Sequence, residues 1–404
     1  MAMRSVEEHL AAILGSVREL PPVDLALPDA RGAVLAEPVS APVPLPPFDN
    51  SAMDGYAVVA ADIARASEAD PVTLPVAGDN MAGEPGVPAI APGTTARIMT
   101  GAPLPAGADA VVPVEWTDGG TETVRITRSA PPGNHIRRAG EDVRAGQVVM
   151  AAGTRLGAAQ LGMLAAVGRG HVTVRPKPRV VVLSTGTELR EPGTPLGPGQ
   201  IWESNSFMIV AAVAEAGGVG HRHATIDDEP GKVMGTLRDQ LVRADAIVTT
   251  GGVSMGARDV VKEALTGTGT VDFHKVRMRP GKPQGFGLLD GVPVFTLPGN
   301  PVSAYVAFQV FVRPALRAMQ GLPAESLPIV GAVLTEDVTS PPGLRQYLRA
   351  HLTLTRSSYT ATPADTQGSH QLASLSSANG LIVLPEDAES LPAGSHVDVM
   401  RLPS

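Results

Sequence analysis

Cysteine is absent from the whole chain. Disulfides, thiolate metal sites and a cysteine nucleophile are therefore excluded, and no oxidising compartment is required. Aromatic residues make up only 3%, too few for the stacked platforms that hold single-stranded nucleic acid. A positive surplus is missing too. Net charge is -8, from 32 Lys plus Arg against 40 Asp plus Glu, which argues against broad nucleic-acid or anionic-membrane binding. No apolar run reaches the roughly 18 residues of a membrane span. Glu7 and Glu8 stand where a secretory signal would be apolar, so the expected location is the cytoplasm. There is no P-loop pattern, no G-x-S-x-G elbow, no H-E-x-x-H pair and no short-period repeat.

What the chain has instead is glycine and proline, 44 and 38, spread between apolar runs. Such punctuation implies many turns and short strands. At 404 residues, two to four domains are expected. Ser5-x-x-Glu8 is a capping-box pattern, and Val6, Leu10, Ile13, Leu14 and Val17 form one helical stripe. Asp29–Leu35 reads as a second short helix, and Pro38–Pro47 as an extended connector. From Tyr56 to about Asn134 the runs Val72–Ala77, Ala96–Met99, Ala110–Val114 and Thr123–Thr127 suggest a small β-rich domain. Helical texture returns at Ala158–Val167, so residues 1–45 and 140–177 are expected to form one discontinuous domain around an insertion at 46–139.

Residues 178–322 alternate strands and helices. The strand candidates are Val180–Leu183, Gly220–Thr225, Ala246–Thr250, Thr270–Val276 and Val294–Leu297. The helix candidates are Ser204–Ala216, Gly231–Arg243, Val260–Leu265 and Val302–Met319. This is a three-layer α/β pattern, and it predicts a mainly parallel sheet with ligands beyond the carboxyl ends of the strands. From 323 to 404 the helical period disappears. Ile329–Leu334, Tyr347–Leu354, Leu381–Leu384 and His396–Met400 predict a small C-terminal β-barrel or sandwich.

The α/β section is organised around Ala244–Leu265, a strand, a Gly251-Gly252 loop and a helix opened by Asp259. Converging backbone amides there suit a phosphate or another oxyanion. Asp259 is either a plain N-cap or the holder of a metal that bridges to the anion. Two further strand-to-loop junctions carry unusual polar residues: LSTGTEL, with Glu188, and LPGNPVSA, where Asn300-Pro301 opens a helix. Asp227-Asp228 follows another strand candidate. Carboxylates on one rim bind Mg2+ together with phosphate oxygens. Phe273–Gly287 concentrates Lys275, Arg277, Arg279 and Lys282, either a solvated basic edge or a cationic bed for phosphate or a metal oxyanion.

Eight motifs occur in order along nearly the whole chain. They are PFDNSAMDGYA (Pro47–Ala57), IMTGAPLPAGADAVVPVE (Ile98–Glu115), GEDVRAG (Gly140–Gly146), STGTEL, TTGGVSMGARD, RPGKPQGFG, LPGNPVSA and GSHQLASLSSANGL (Gly368–Leu381). Together they resemble the MoeA family of molybdopterin molybdenumtransferases, to which the gephyrin E domain is related. The resemblance implies a four-domain homodimer that uses adenylylated molybdopterin and molybdate, releases AMP and needs Mg2+. It further implies contact with molybdopterin adenylyltransferase and with molybdoenzyme-maturation proteins. The alternatives are a molybdopterin adenylyltransferase and a non-enzymatic pterin-binding scaffold.

Carried over by residue, the resemblance gives catalytic roles to Asp54, Thr100, Asp259 and Lys275, and metal roles to Glu188 and Asp228. Substrate binding falls to Ser184, Gly186, Gly251, Gly252, Ser254, Gly256, Arg279, Lys282, Pro298, Asn300, Pro301, Arg349 and Ser369. Asp54 and Thr100, from the inserted domain, are expected to complete the cleft of a partner subunit. Arg279 stands where many relatives have Lys, and Thr187 where they have Asp or Asn.

Overall fold

Alternate residues of one strand bury on opposite faces of a sheet, and Arg179–Ser184 does this without a polar face. In the computed structural model, Val180 and Val182 join one core with Ala246, Val248, Phe295 and Leu297. Val181 and Leu183 join a second core with Ile247, Val261 and Val294. A strand buried on both faces is the signature of a parallel sheet covered by helices. The structure describes residues 3–83, 89–225, 229–252, 259–267, 269–356 and 358–403. It divides into two compact units, one of residues 1–24, 32–36 and 173–404, the other of 25–31 and 37–172. Among the described residues no helix is long and apolar enough to cross a membrane.

The first unit holds a six-stranded sheet in the order Val219–Arg222, Arg179–Ser184, Ala246–Thr250, Val292–Leu297, Pro283–Leu289, Val271–Lys275. The first four run parallel, and Pro283–Leu289 is antiparallel to both its neighbours. The expectation of a mainly parallel α/β sheet therefore holds, with one reversed strand that the pattern did not give. That strand is joined to the next by Asp290 and Gly291, at φ 49° and 84°, so Leu289 faces Val292 across a two-residue hairpin. The expected helices form at Asn205–Glu215, Pro230–Leu241 and Val260–Thr266. Pro301–Met319 is helical throughout, with a π turn at Phe308–Val312.

Two glycines let the reversed strand fit. A Cβ at Gly285 would lie 2.0 Å from Thr296 Oγ1, and one at Gly287 would lie 2.0 Å from the Thr270 carbonyl oxygen.

The Val6–Ser16 helix packs its stripe against the same first core. Its capping box is formed: the Glu8 amide donates to Ser5 Oγ (3.0 Å), and the Ser5 amide donates to Glu8 Oε2 (2.7 Å). The stripe also buries His9, which is 2% exposed and edge-on to Phe311 at 4.8 Å between ring centroids. Burial pushes its imidazole down to about 4, and the charges of His274 and Arg4 add to this. An unfolded histidine titrates near ~6.5. Between these values the unfolded chain binds the extra proton, so stability is complete above ~6.5 and falls as pH drops towards 4. A loss of about 3 kcal/mol from this residue is expected at the acid end of that window. Denaturant midpoints at pH 7 and 4.5, compared between wild type and His9→Gln, should show a smaller drop in the variant.

The end of the first unit is a closed ring of five strands. Their order is Arg345–Leu354, Tyr359–Pro363, Ile329–Leu334, His396–Arg401 and Gly380–Leu384, which returns to Arg345–Leu354. The expected C-terminal β-barrel is thus present. Tyr359–Pro363 was missing from the expectation because YTATP lacks an apolar alternation, yet it is the strand that closes the ring. Met278–Arg279 adds to the same sheet beside Arg345–Gln346.

In the second unit, Ala110–Pro113, Gly55–Val58, Thr95–Ile98, Val72–Asn80 and Thr123–Ile126 form one five-stranded sheet. Tyr56, Val58, Ile63, Leu74, Val112, Val124 and Ile126 fill its core. The β-rich expectation holds. The helix expected at Asp29–Leu35 does not form. Leu27–Ala30 is a single 3-10 turn begun by Pro28, Gly32 adopts φ 79°, and Val34–Leu35 is a strand. A left-handed glycine stops a helix from propagating.

Candidate active site

The three strand-to-loop junctions do converge. Thr185, Gly186 and Glu188, then Gly251, Gly252 and Asp259, then Pro298, Gly299, Asn300 and Pro301 line one cavity of about 700 Å³ beyond the carboxyl ends of the parallel strands. The Ile201–Asn205 stretch, Pro283, Ser303, His370 and Leu372 complete its wall. Glu188, Glu203 and Asp259 give it three carboxylates, and no lysine or arginine is among its described lining residues.

Glycine shapes two of the junctions. Gly251 and Gly252 have φ 89° and 67°, and a Cβ on either would come within 2.9 Å of Thr185 O or 2.7 Å of Val261 Cγ2. The Gly251 amide is not free for an anion, because it donates to Leu297 O at 3.1 Å. That narrows the anion-cradle expectation for this loop. Asp259 precedes the Val260–Thr266 helix at the N-cap position, but its side chain makes no capping hydrogen bond to that helix. The plain N-cap alternative is therefore out. A Cβ on Gly186 would strike the Glu188 carboxylate at 2.6 Å, so glycine there gives the carboxylate its space. Asp228, Ser254 and Gly256 lie outside the described residues.

Ser184 sits beneath the floor at 2% exposure, not on the cavity surface. Its hydroxyl donates to Glu203 Oε1 (2.8 Å), which leaves Thr250 Oγ1 as donor to it at 2.9 Å. Glu203 also accepts from the Ser206 amide (2.8 Å) and hydroxyl, with Arg222 Nη1 at 3.9 Å. A buried charge needs such partners. The sequence reading missed Glu203. Its signal was a carboxylate directly before Ser204-Asn205 at a helix start. Asn205 ties this stretch to the third junction, donating Nδ2 to Gly299 O at 2.7 Å.

The loop from the barrel reaches the same place. Asn300 Nδ2 donates to Ser369 Oγ (2.9 Å), and the Val302 amide donates to Ser369 O (3.1 Å). Arg349, 1% exposed, lies behind this loop and does not line the cavity. Its Nη2 donates to Thr366 O (2.7 Å), its amide donates to Gln367 Oε1 (3.0 Å), and burial pushes its pKa down. Lys275, Arg279 and Lys282 are exposed and outside the lining. Lys275, Arg277 and Arg279 are exposed, while Val276 and Met278 between them are buried. In the second unit, the Thr100 amide and hydroxyl both donate to Asp54 Oδ1 at 2.7 Å, which holds that exposed carboxyl below its ordinary pKa.

Family models match almost end to end: the MoeA N-terminal region (domain I and II) over residues 4–168, a probable molybdopterin binding domain over 181–318, and the MoeA C-terminal region (domain IV) over 331–402. A Mycobacterium tuberculosis protein named molybdopterin molybdenumtransferase 2 is 49% identical over 406 residues, covering 99% of this chain and all of the relative. The chain belongs to the molybdopterin molybdenumtransferase family. This makes it a transferase of molybdenum cofactor biosynthesis. The Bacillus subtilis member is 35% identical over 94% of this chain and 89% of its own length. Among solved structures, the molybdopterin biosynthesis MoeA protein of Pyrococcus horikoshii superposes with a TM-score of 0.83 at 32% identity, with both chains covered completely. A molybdenum cofactor biosynthesis protein from Pyrococcus furiosus, at TM-score 0.60 and 22% identity, shares the fold. Within this molybdenumtransferase frame the cavity belongs to the segment matching the molybdopterin binding domain, and the barrel lends it His370 and Leu372.

Proposed function

We propose that the chain inserts molybdenum from molybdate into adenylylated molybdopterin and releases AMP, with Mg2+ held by Glu188 and Asp259. The observation that carries this is that Glu188 and Asp259, from the connections after two neighbouring strands, line one cavity with no described cationic side chain in its lining. Magnesium uses one or two carboxylates and completes its shell with phosphate and water oxygens. The donor set fits that habit. Among the described residues no group of three or more His, Asp or Glu is placed to hold a metal ion by itself. When bound, Mg2+ offsets the pyrophosphate charge and makes AMP a better leaving group.

The residues of the chain do the rest. Glu188 and Asp259 orient the pyrophosphate from two sides. Ser184, Thr250 and Glu203 stiffen the floor through one hydrogen-bonded chain. Asn300 and Ser369 lock the third wall. Lys275, Arg279 and Lys282 draw the molybdate dianion towards the site, since unlike charges attract over a distance of ~10 Å in dilute salt. Arg349 acts through the loop it anchors. Asp54 and Thr100 complete the cleft of a partner subunit in a homodimer. The substrate arrives from a molybdopterin adenylyltransferase in the cytoplasm, and the product passes to molybdoenzyme-maturation proteins. The division into domains of residues 1–45 with 140–177, 46–139, 178–322 and 323–404 is part of the same proposal.

Mixing purified protein with adenylylated molybdopterin, molybdate and Mg2+ should release AMP in step with active cofactor, and chelation of Mg2+ should stop both. Protein that releases no AMP under these conditions would refute the proposal.

A further inference from the structure

Four of the large hydrophobic side chains that remain exposed crowd into one short stretch: Leu196 at 41%, Ile201 at 55%, Trp202 at 52% and Phe207 at 46%. Ile201 and Trp202 of this set line the cavity, and exposed apolar groups at a cavity mark a binding surface. Trp202 is one of only two tryptophans in a chain with 3% aromatics, yet folding leaves it half in solvent. Its ring is held all the same. Nε1 donates to Thr194 O at 2.8 Å, which fixes one edge of the indole. Ile201 and Trp202 form a parallel ladder with Leu189 and Arg190. Trp202 lines the cavity, and its neighbours Ile201 and Glu203 are tied by their amides to Glu188 O (2.9 Å) and Arg190 O (2.8 Å). Phe207 has Arg222 stacked over its ring at 4.2 Å, whereas no described cation or ring stacks on Trp202.

We propose that Trp202 is the stacking platform for one heteroaromatic ring of the substrate. This rests on the function proposed above, because the substrate named there carries two such rings, adenine and pterin, on either side of a pyrophosphate. Trp202 pairs with Arg190, two residues beyond Glu188, and a rise of ~3.3 Å per residue with ~4.8 Å between strands is within the reach of a nucleotide or pterin arm. A fixed indole offers its face without first losing rotamer freedom, and base-on-aromatic stacking weakens by roughly 10- to 100-fold when the ring is removed. The wall thus sorts ligands by flatness, and the carboxylates sort them by charge.

Trp116→Phe leaves Trp202 as the sole tryptophan reporter, and Trp116 lies in the other compact unit. In that background AMP or 6-hydroxymethylpterin should quench fluorescence saturably, and ribose 5-phosphate, which lacks a heterocycle, should not. Calorimetry then compares AMP, 6-hydroxymethylpterin and ribose 5-phosphate on wild type, Trp202→Phe and Trp202→Ala. The alanine variant should lose roughly 10- to 100-fold for one heterocycle. The phenylalanine variant should stay within about threefold of wild type, and ribose 5-phosphate should bind all three alike. Loss for AMP names adenine as the ring, and loss for the pterin names the pterin. In turnover, Trp202→Ala should raise KM with kcat retained. If neither heterocycle loses affinity, or ribose 5-phosphate loses as much, Trp202 is not the platform. Wild-type AMP release alongside that result would leave the molybdenum-insertion function standing, whereas its absence would remove that function instead.

Discussion

Asp259→Asn should lower kcat/KM for AMP release by about 100-fold, the scale of losing one preorganised charge at a phosphoryl site. The change keeps size and removes charge. The fold should survive it, because the side chain caps no helix. Its place on the cavity wall beside Gly251 and Gly252 is what the substitution disturbs. A shift of the Mg2+ requirement to higher concentration should accompany the slower rate. Wild-type turnover and an unshifted Mg2+ dependence in the variant would rule out Asp259 as a metal or pyrophosphate group.

Gly287→Ala is the second large effect, and it acts on stability. The added methyl would lie 2.0 Å from Thr270 O and 2.5 Å from Val271 Cα. Both are backbone atoms, so no rotamer change relieves the overlap, and the Val271–Lys275 strand must move. Overpacking of this kind costs about 3 kcal/mol. For a unit of this size the thermal midpoint should drop by roughly 5–10 °C. Gly235→Ala is the matching control. It lies in the Pro230–Leu241 helix with nothing within 4 Å of the new methyl, and a gain of about 0.5–1 kcal/mol is expected. Differential scanning calorimetry of the two variants should move in opposite directions.

The contrast between these glycines shows what the sequence disclosed. Val180–Leu183 and Ala246–Thr250 were legible as strands because each is a β-branched run bounded by polar turns. No strand was expected in RPGKPQGFG because two prolines and three glycines, Gly285 and Gly287 among them, suppress a strand signal. Those two glycines are there because the neighbouring strands pass too close for a side chain. The Asp290-Gly291 hairpin signal was present and went unused. Tyr359–Pro363 hid because YTATP lacks an apolar alternation, and what makes it a strand is pairing with 332–334 and 350–354.

The site divides along similar lines. Glu188, Gly251, Gly252, Asp259, Pro298, Asn300 and Pro301 were legible because each lies in a strand-to-helix connection at the carboxyl end of the sheet, where this sheet type binds ligands. Glu203 and Trp202 were not, since they come from a short ladder that folds back across the first junction. Arg349 was named from the family resemblance; the structure buries it, with Nη2 donating to Thr366 O.

The Met278–Arg279 strand bears on how this protein could have been assembled. It leaves the α/β sheet and pairs with Arg345–Gln346, while the barrel returns His370 and Leu372 to the cavity wall. The two parts are laced together in both directions. A single cut in the connecting chain near Pro323 would not free either one, because paired strands still bridge the gap. Nor could a foreign barrel be spliced on at that point without tearing out part of the wall. Loss of the barrel would take His370 and Leu372 out of the cavity wall and leave Met278–Arg279 without its strand partner.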